Sequence, residues 1–183
     1  MTTLVKYITL AVIAGLTLIS CNNDQSLQRY LVDKQDDDKF LKVDVAASLL
    51  QTDSNNMTEE QKEILNTIKK VNVVAYPIKD GNTEDYKVQK DEVKEILNQE
   101  KYKTLMKMGS NKSGATLKYL GEEDAIDEVV IFASDNDRGF ALFRVTGDDM
   151  RPDQMIKLMN SIDSGDLDVS SLSGIGEIFD EMK

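Results

Sequence analysis

The only cysteine of the chain, Cys21, follows an apolar run, and this arrangement limits what the rest of the chain can use for folding. Lys6 precedes the run over residues 7–19, and the small residue Ser20 separates the run from the cysteine. A basic start, an apolar stretch and a small residue before the cleavage point are typical of a secretory signal peptide. The sequence therefore predicts a signal peptide over residues 1–20, with Cys21 as the new N-terminus.

The segment Leu18-Ile19-Ser20-Cys21 resembles the lipobox of bacterial lipoproteins, in which the cysteine sulfur receives a diacylglyceryl group. Two other interpretations of the N-terminus fit less well. The apolar run is shorter than the roughly 20 residues that a transmembrane helix needs. An ordinary cleaved signal would leave the Cys21 thiol without a partner in an oxidising compartment. We therefore expect a lipidated Cys21 that anchors the protein in the cell envelope, at the outer membrane, facing either the periplasm or the surface.

The charge balance and the missing residue types exclude several classes of function. The formal net charge is −11, whereas nucleic-acid binding depends on Lys and Arg side chains that neutralise phosphates. The chain has no histidine, which removes Ser-His-Asp and Cys-His nucleophilic machinery. With its one cysteine at the anchor, the chain can form neither a disulfide nor a Cys/His zinc site. Carboxylate acid–base chemistry, a Ser–Lys pair and a carboxylate cation site stay open.

Composition divides the chain beyond the signal peptide into three parts. Residues 21–38 are polar and acidic, as in a tether after a lipidated cysteine; residues 39–162 carry the strand and helix patterns of one domain. Residues 163–183 read as a flexible acidic tail with a short amphipathic helix. Apolar residues have helical spacing within both flanks, at Leu27, Tyr30 and Leu31, which can pack on the domain, and at Leu172, Ile175, Phe179 and Met182.

Hydrophobic periodicity predicts an α+β fold. Alternating or apolar runs predict strands near residues 40–45, 71–76, 104–108, 115–120, 128–133 and 140–146. Helical spacing and start signals predict helices that begin after Thr58, at Thr83 and at Pro152. We expect a single mainly antiparallel sheet with the helices packed on one face. The other face should be more polar, because of Lys42, Asp44, Lys118 and Arg144.

Two acidic segments are candidate sites. Asp135 and Asp137 have the spacing of oxygen ligands at the start of a calcium loop, but the rest of that loop is missing and a tight hairpin turn favours the same residues. We therefore predict a turn, with both aspartates as weak candidates for a cation site. The second segment is a carboxylate cluster that could serve a glycosidase only at a fixed separation, so an acidic loop is the expectation; it contains Glu122, Glu123, Asp124, Asp127 and Glu128.

The arrangement of apolar segments resembles the domain-of-unknown-function 4252 (DUF4252) family of Bacteroidota-type lipoproteins. The resemblance covers roughly residues 39–162 and rests on apolar patterns rather than on catalytic signatures. Its carriers are Phe40-Leu41 leading to Ala46-Ala47-Ser48-Leu49-Leu50, Val71–Tyr76, Tyr102-Lys103-Thr104-Leu105-Met106, Asp127-Glu128-Val129-Val130-Ile131 and Ala141-Leu142-Phe143-Arg144-Val145-Thr146-Gly147. The family implies no biochemical role, so no functional residue can be transferred from it.

These observations favour a non-catalytic, membrane-anchored module that binds a protein partner in the envelope. They predict neither a catalytic residue nor a cofactor, and no nucleic acid among the partners. The alternative is a small-ligand or cation-binding protein, or a carboxylate-based hydrolase, that uses the acidic segments.

Overall fold

The computed structural model describes residues 25–46, 48, 58–110 and 112–163, with side chains up to residue 157 in the last helix. The predicted signal peptide, the lipidation site Cys21 and the predicted tail helix over residues 171–182 lie outside the described residues.

Within these ranges the chain forms four helices and six strands. The helices are α1 (Leu27–Asp33), α2 (Glu59–Thr67), α3 (Thr83–Leu97) and α4 (Pro152–Asp163). The strands are β1 (Leu41–Ala46), β2 (Ile68–Pro77), β3 (Lys103–Gly109), β4 (Ser113–Glu122), β5 (Ala125–Asp135) and β6 (Gly139–Met150). The strands form one sheet in the order β1-β2-β6-β5-β4-β3, in which every neighbouring pair is antiparallel. The predicted α+β fold with a single antiparallel sheet is therefore confirmed.

Local signals start the helices where the sequence predicts. The Thr58 hydroxyl accepts from the Gln61 backbone N–H at 3.2 Å, and the Gln61 side chain accepts from the Thr58 N–H at 2.8 Å. This reciprocal capping box satisfies two N–H groups that the first turn of α2 would otherwise leave unpaired. Pro152 begins α4, because a proline at the first helical position loses no intrahelical hydrogen bond.

One face of the sheet, here called the α1/α3 face, carries the larger core. Leu27 and Tyr30 of α1 are buried in it, within the part of the chain that the sequence assigns to the tether. α3 contributes Tyr86, Val93, Ile96 and Leu97, and the strands contribute Val74, Tyr76, Val130, Phe132, Phe140 and Leu142. Phe140 stacks on Tyr76 with ring centroids 5.8 Å apart. The packed unit therefore includes α1 and begins before residue 39.

The opposite face, here called the α2/α4 face, carries a second core. Ile64 and Leu65 of α2 and Met155 of α4 pack with strand residues such as Leu117 and Val129. Because successive side chains of a strand lie on opposite faces of the sheet, Val129 belongs to this core while its neighbour Val130 belongs to the core of the α1/α3 face. Two of the described helices therefore lie on each face, whereas the sequence analysis placed all helices on one face. The pattern of apolar and polar residues shows which side chains of a strand share a face of the sheet. It does not show on which face a connecting helix lies.

The four polar residues expected on the helix-free face do share one face, but it is the α1/α3 face. Lys42 pairs with Val74 and Lys118 pairs with Val130, and both valines belong to the core under α1 and α3. Arg144 and Asp44 have the same parity. This face stays partly polar because its helices cover only part of it.

Candidate functional site: a lysine-lined groove

A groove of about 780 Å³ lies on the α1/α3 face, beside α3 and over the β3–β4 hairpin. One side of it is formed by α3, through Lys90, Lys94 and Leu97, and by Asn98 directly after the helix. The remaining lining comes from the edge of the sheet and the turn after β5, with Thr104, Lys107, Met108, Gly109, Ser110, Lys112, Ser113, Gly114, Ala115, Thr116, Lys118, Phe132, Ser134 and Asn136. Its volume lies within the range of about 300–1,000 Å³ typical of ligand pockets.

The charge of this groove is opposite to that of the chain. Five lysines line it, and no described lining residue is acidic, although the chain carries a net charge of −11. The lysines are Lys90, Lys94, Lys107, Lys112 and Lys118. A concave surface lined by one sign of charge focuses the electric field and attracts counter-ions. The groove is therefore suited to an anion.

The two half-buried lysines show the electrostatic cost of this arrangement. Burial lowers the pKa of Lys118, and the nearby ammonium of Lys107 lowers that pKa further. Burial also lowers the pKa of Lys90, with a further contribution from Lys94. Desolvation and like charges both disfavour the charged form of a lysine. An anion bound among these ammonium groups would relieve both effects.

Hydrogen bonds to neutral oxygens orient these two lysines. The Lys118 Nζ donates to the Tyr102 carbonyl at 3.4 Å, and the Lys90 Nζ donates to the Asn136 Oδ1 at 2.8 Å. The Lys90 ammonium also lies 4.7 Å from the centre of the Tyr86 ring. Neutral partners orient an ammonium without cancelling its charge, so both groups can still attract an anion.

The β3–β4 hairpin is held closely against its neighbours. Gly109 has a φ of 116°, and a Cβ at this position would collide with the backbone of Gly114. Only glycine adopts this conformation at such a close approach. The Asn136 backbone N–H donates to the Lys112 carbonyl at 3.0 Å, which ties the hairpin to the β5–β6 turn. These contacts hold the described residues of the hairpin close to the β5–β6 turn at the end of the groove.

The acidic residues that the sequence singled out do not form one site. Glu128 is buried on β5, where its Oε2 accepts from Arg144 Nη2 at 2.6 Å and its Oε1 accepts from the Tyr102 hydroxyl at 3.0 Å. Burial raises the pKa of Tyr102, and the Glu128 carboxylate raises it further. By contrast, Glu122, Glu123, Asp124 and Asp127 are exposed. The partners of Glu128 are therefore Arg144 and Tyr102, and not a second carboxylate at the fixed separation that a glycosidase needs.

Asp135 and Asp137 lie at the β5–β6 turn, as predicted. The Asp135 Oδ1 accepts from the backbone N–H groups of Asp137 and Arg138, at 2.8 and 3.1 Å. This is the self-capping by which an aspartate stabilises a turn. In the part of the chain that the structure describes, no group of three or more His, Cys, Asp or Glu residues is placed to hold a metal ion. None of the described helices combines the length and the apolar character needed to cross a membrane.

Sequence reasoning did not identify the groove, because its lysines come from α3, from β3, from β4 and from the turn between these two strands. The one local signal is the spacing of Lys90 and Lys94, which puts both on one side of α3. Lys118 was assigned to a polar sheet face and Lys107 to a predicted strand, and no pattern linked either of them to α3. The convergence depends on the hairpin lying beside α3, which is a property of the fold.

The fold and the groove define a class: an α+β domain with an open antiparallel sheet, two helices on each face and a basic groove at one edge. The particular family follows from comparison with known proteins. The chain belongs to the family described as a domain of unknown function (DUF4252), whose match covers residues 30–158 and so includes part of α1. No curated protein and no solved structure matched the chain.

Proposed function

We propose that the protein is a lipid-anchored envelope lipoprotein whose domain is a non-catalytic module that binds an anionic partner, and that this partner is a protein. The lysine-lined groove carries this proposal. Five lysines line it in a strongly acidic chain, and no described lining residue is acidic. Such a set of donors suits carboxylates and phosphates, because an ammonium is a hydrogen-bond donor without acceptor capacity.

The groove favours capture of a ligand over chemistry on it. The Ser110 hydroxyl accepts from the Lys112 N–H at 3.2 Å and donates to the Ser113 carbonyl at 3.4 Å, so it serves the hairpin turn. The lysines that are half-buried donate to a carbonyl and to an amide oxygen rather than to a nucleophile. These contacts position charge but activate no hydroxyl, which supports a binding role.

Binding of an acidic peptide to the full chain tests this function. We expect hexaglutamate to bind and the double variant Lys94→Gln/Lys107→Gln to weaken its binding by about tenfold or more. Both lysines are exposed, so their replacement should leave the fold intact. The matched control is Lys69→Gln/Lys87→Gln, which removes the same charge from exposed lysines that pair with Asp148 and Glu84. Equal losses of affinity in both variants would show that hexaglutamate responds to the net charge of the chain and not to the groove, and would overturn the proposal.

Inorganic phosphate and hexalysine complete this experiment. Phosphate that binds the groove as tightly as hexaglutamate would assign the site to a small anion instead of a protein segment. Hexalysine should not bind the groove. Preference for hexalysine would show that the acidic segments, and not the lysines, are the binding surface.

The anchor is tested separately. We expect Cys21→Ser to block lipidation, because serine lacks the sulfur that is alkylated. The variant should accumulate uncleaved or leave the membrane fraction, as measured by fractionation of intact cells. A variant that is processed and retained in membranes like the wild type would contradict the lipoprotein proposal.

A further inference from the structure

The lysine groove opens at one edge of the sheet. β3 is the last strand in the sheet order, and among the described residues it pairs with β4 alone. A β-bulge lies between Thr104 and Met106, after which the pairing is regular as far as Gly109. Alternate residues of an edge strand direct their N–H and C=O groups away from the sheet. An extended segment of another protein can therefore add to such an edge as a further strand.

The side chains of this edge have different chemistry on the two faces. Lys107 pairs with Thr116 on the α1/α3 face, where both line the groove. Met106 pairs with Leu117 on the α2/α4 face, and Met108 lies two residues further on the same side. Met106 is 41% exposed and Met108 is 55% exposed. A strand added here would meet positive charge on one face and flexible apolar side chains on the other.

The lysine and the bulge have a second possible use, since both discourage unwanted pairing at sheet edges. Two exposed methionines on the same short stretch act in the opposite direction, because exposed apolar side chains on an edge promote pairing. Methionine is also frequent on surfaces that bind peptides, owing to its flexible and polarisable side chain. A lysine and a bulge together with two exposed methionines therefore fit an edge that pairs with selected segments better than an edge protected against all pairing.

We propose that β3 receives, as an added strand, an extended segment of a partner protein in which acidic and apolar side chains alternate. The period of two in a strand places the acidic side chains over the groove, towards Lys107 and Lys94, and the apolar side chains beside Met106 and Met108. This inference rests on the proposed function, because it uses the same groove, and it adds a binding mode and a sequence pattern for the partner.

Two peptides of identical composition test the pattern on the full chain. One has the alternating sequence Glu-Leu-Glu-Val-Glu-Leu, and the other has the blocked sequence Glu-Glu-Glu-Leu-Val-Leu. We expect the alternating peptide to bind about tenfold more tightly. N-methylation of every second amide along one edge of the alternating peptide should abolish this advantage, since added strands bind through main-chain hydrogen bonds. Amide exchange in β3 should slow on binding of the alternating peptide.

A matched pair of variants separates this inference from the proposed function. Met106→Ser, at the edge methionine that does not line the groove, should weaken the alternating peptide severalfold and leave hexaglutamate binding unchanged. Lys94→Gln/Lys107→Gln should weaken both ligands. If the two peptides bind equally and neither N-methylation nor the methionine variant matters, strand addition is wrong while anion binding stands. If no acidic peptide binds, both proposals fail.

Discussion

Two charged regions share the α1/α3 face of the sheet, and they differ in whether each charge has a partner. Around Arg144 and Glu128, the cationic and anionic side chains contact one another, with side-chain exposures of only 12% and 9%. The groove is lined by five lysines, and no described lining residue is acidic. A buried charge with a specific partner contributes to structure, whereas unpaired like charges in a concavity cost free energy unless a ligand occupies it.

The largest effect should follow from removing one member of the paired region. Glu128→Gln removes the buried carboxylate that the Arg144 guanidinium contacts, so we expect a loss of about 3 kcal/mol in the free energy of unfolding, measured by urea denaturation. The control is Glu84→Gln, which removes an exposed carboxylate from its pair with Lys87 and should cost about 0–1 kcal/mol. Equal losses in the two variants would show that burial does not distinguish the Arg144 pair from a surface pair.

A smaller effect should follow from removing the hydroxyl that supports this pair. Tyr102→Phe deletes the hydrogen bond to the Glu128 carboxylate but keeps the ring in the core. We expect a loss of about 1–3 kcal/mol, the usual contribution of a hydrogen bond to a charged group. Tyr119→Phe removes a hydroxyl from another buried tyrosine and serves as the control in the same urea series. A loss of stability for Tyr102→Phe no larger than that of the control would show that the Tyr102 hydroxyl does not stabilise the Arg144 and Glu128 pair.

The paired region shows how far the sequence could lead. Strand alternation correctly put Lys42, Asp44, Lys118 and Arg144 on one face, since side-chain parity is a local property. It could not show that Glu128 would meet Arg144, because this contact depends on the register between β5 and β6. Sequence reasoning therefore put Glu128 at the start of a predicted strand and in an acidic loop, without assigning it a partner.

Helix starts were predictable for the same local reason. The Thr58 and Gln61 capping box and Pro152 act within one turn of chain, and both begin helices as predicted. The face that each helix covers depends on long-range packing, which no local pattern encodes. The spacing of Lys90 and Lys94 was not enough to predict the groove, because α3 and the β3–β4 hairpin meet only in the folded chain.

The pH dependence of hexaglutamate binding should distinguish the lysine-lined groove from the paired Arg144 and Glu128 region. The pKa values of Lys90 and Lys118 lie below the ordinary 10.5, because of burial and of neighbouring Lys94 and Lys107. An anion binds the charged form, so hexaglutamate affinity should fall as the pH rises, beginning below 10.5. We expect a fall of about two- to fivefold, as for an ion pair of about 0.5–1 kcal/mol.

Arginine at the same two positions is the control for this measurement. Lys90→Arg/Lys118→Arg keeps both charges throughout this pH range, because a guanidinium stays protonated, so its affinity should fall less than that of the wild type. Titrations by fluorescence anisotropy of labelled hexaglutamate would compare the two proteins. If the arginine variant loses affinity in parallel with the wild type, the groove lysines do not cause the pH dependence.

The smallest effect on stability should come from removing an unpaired charge. Lys118→Met replaces a half-buried ammonium, disfavoured by burial and by Lys107, with an apolar side chain of similar length. Its one hydrogen bond to the Tyr102 carbonyl is long, at 3.4 Å, and offers little to lose. We expect the free energy of unfolding in urea to stay within about 0.5 kcal/mol of the wild type or to rise, while hexaglutamate affinity falls. A loss of stability comparable to that of Glu128→Gln would mean that Lys118 has a structural partner, and the difference between the two charged regions would disappear.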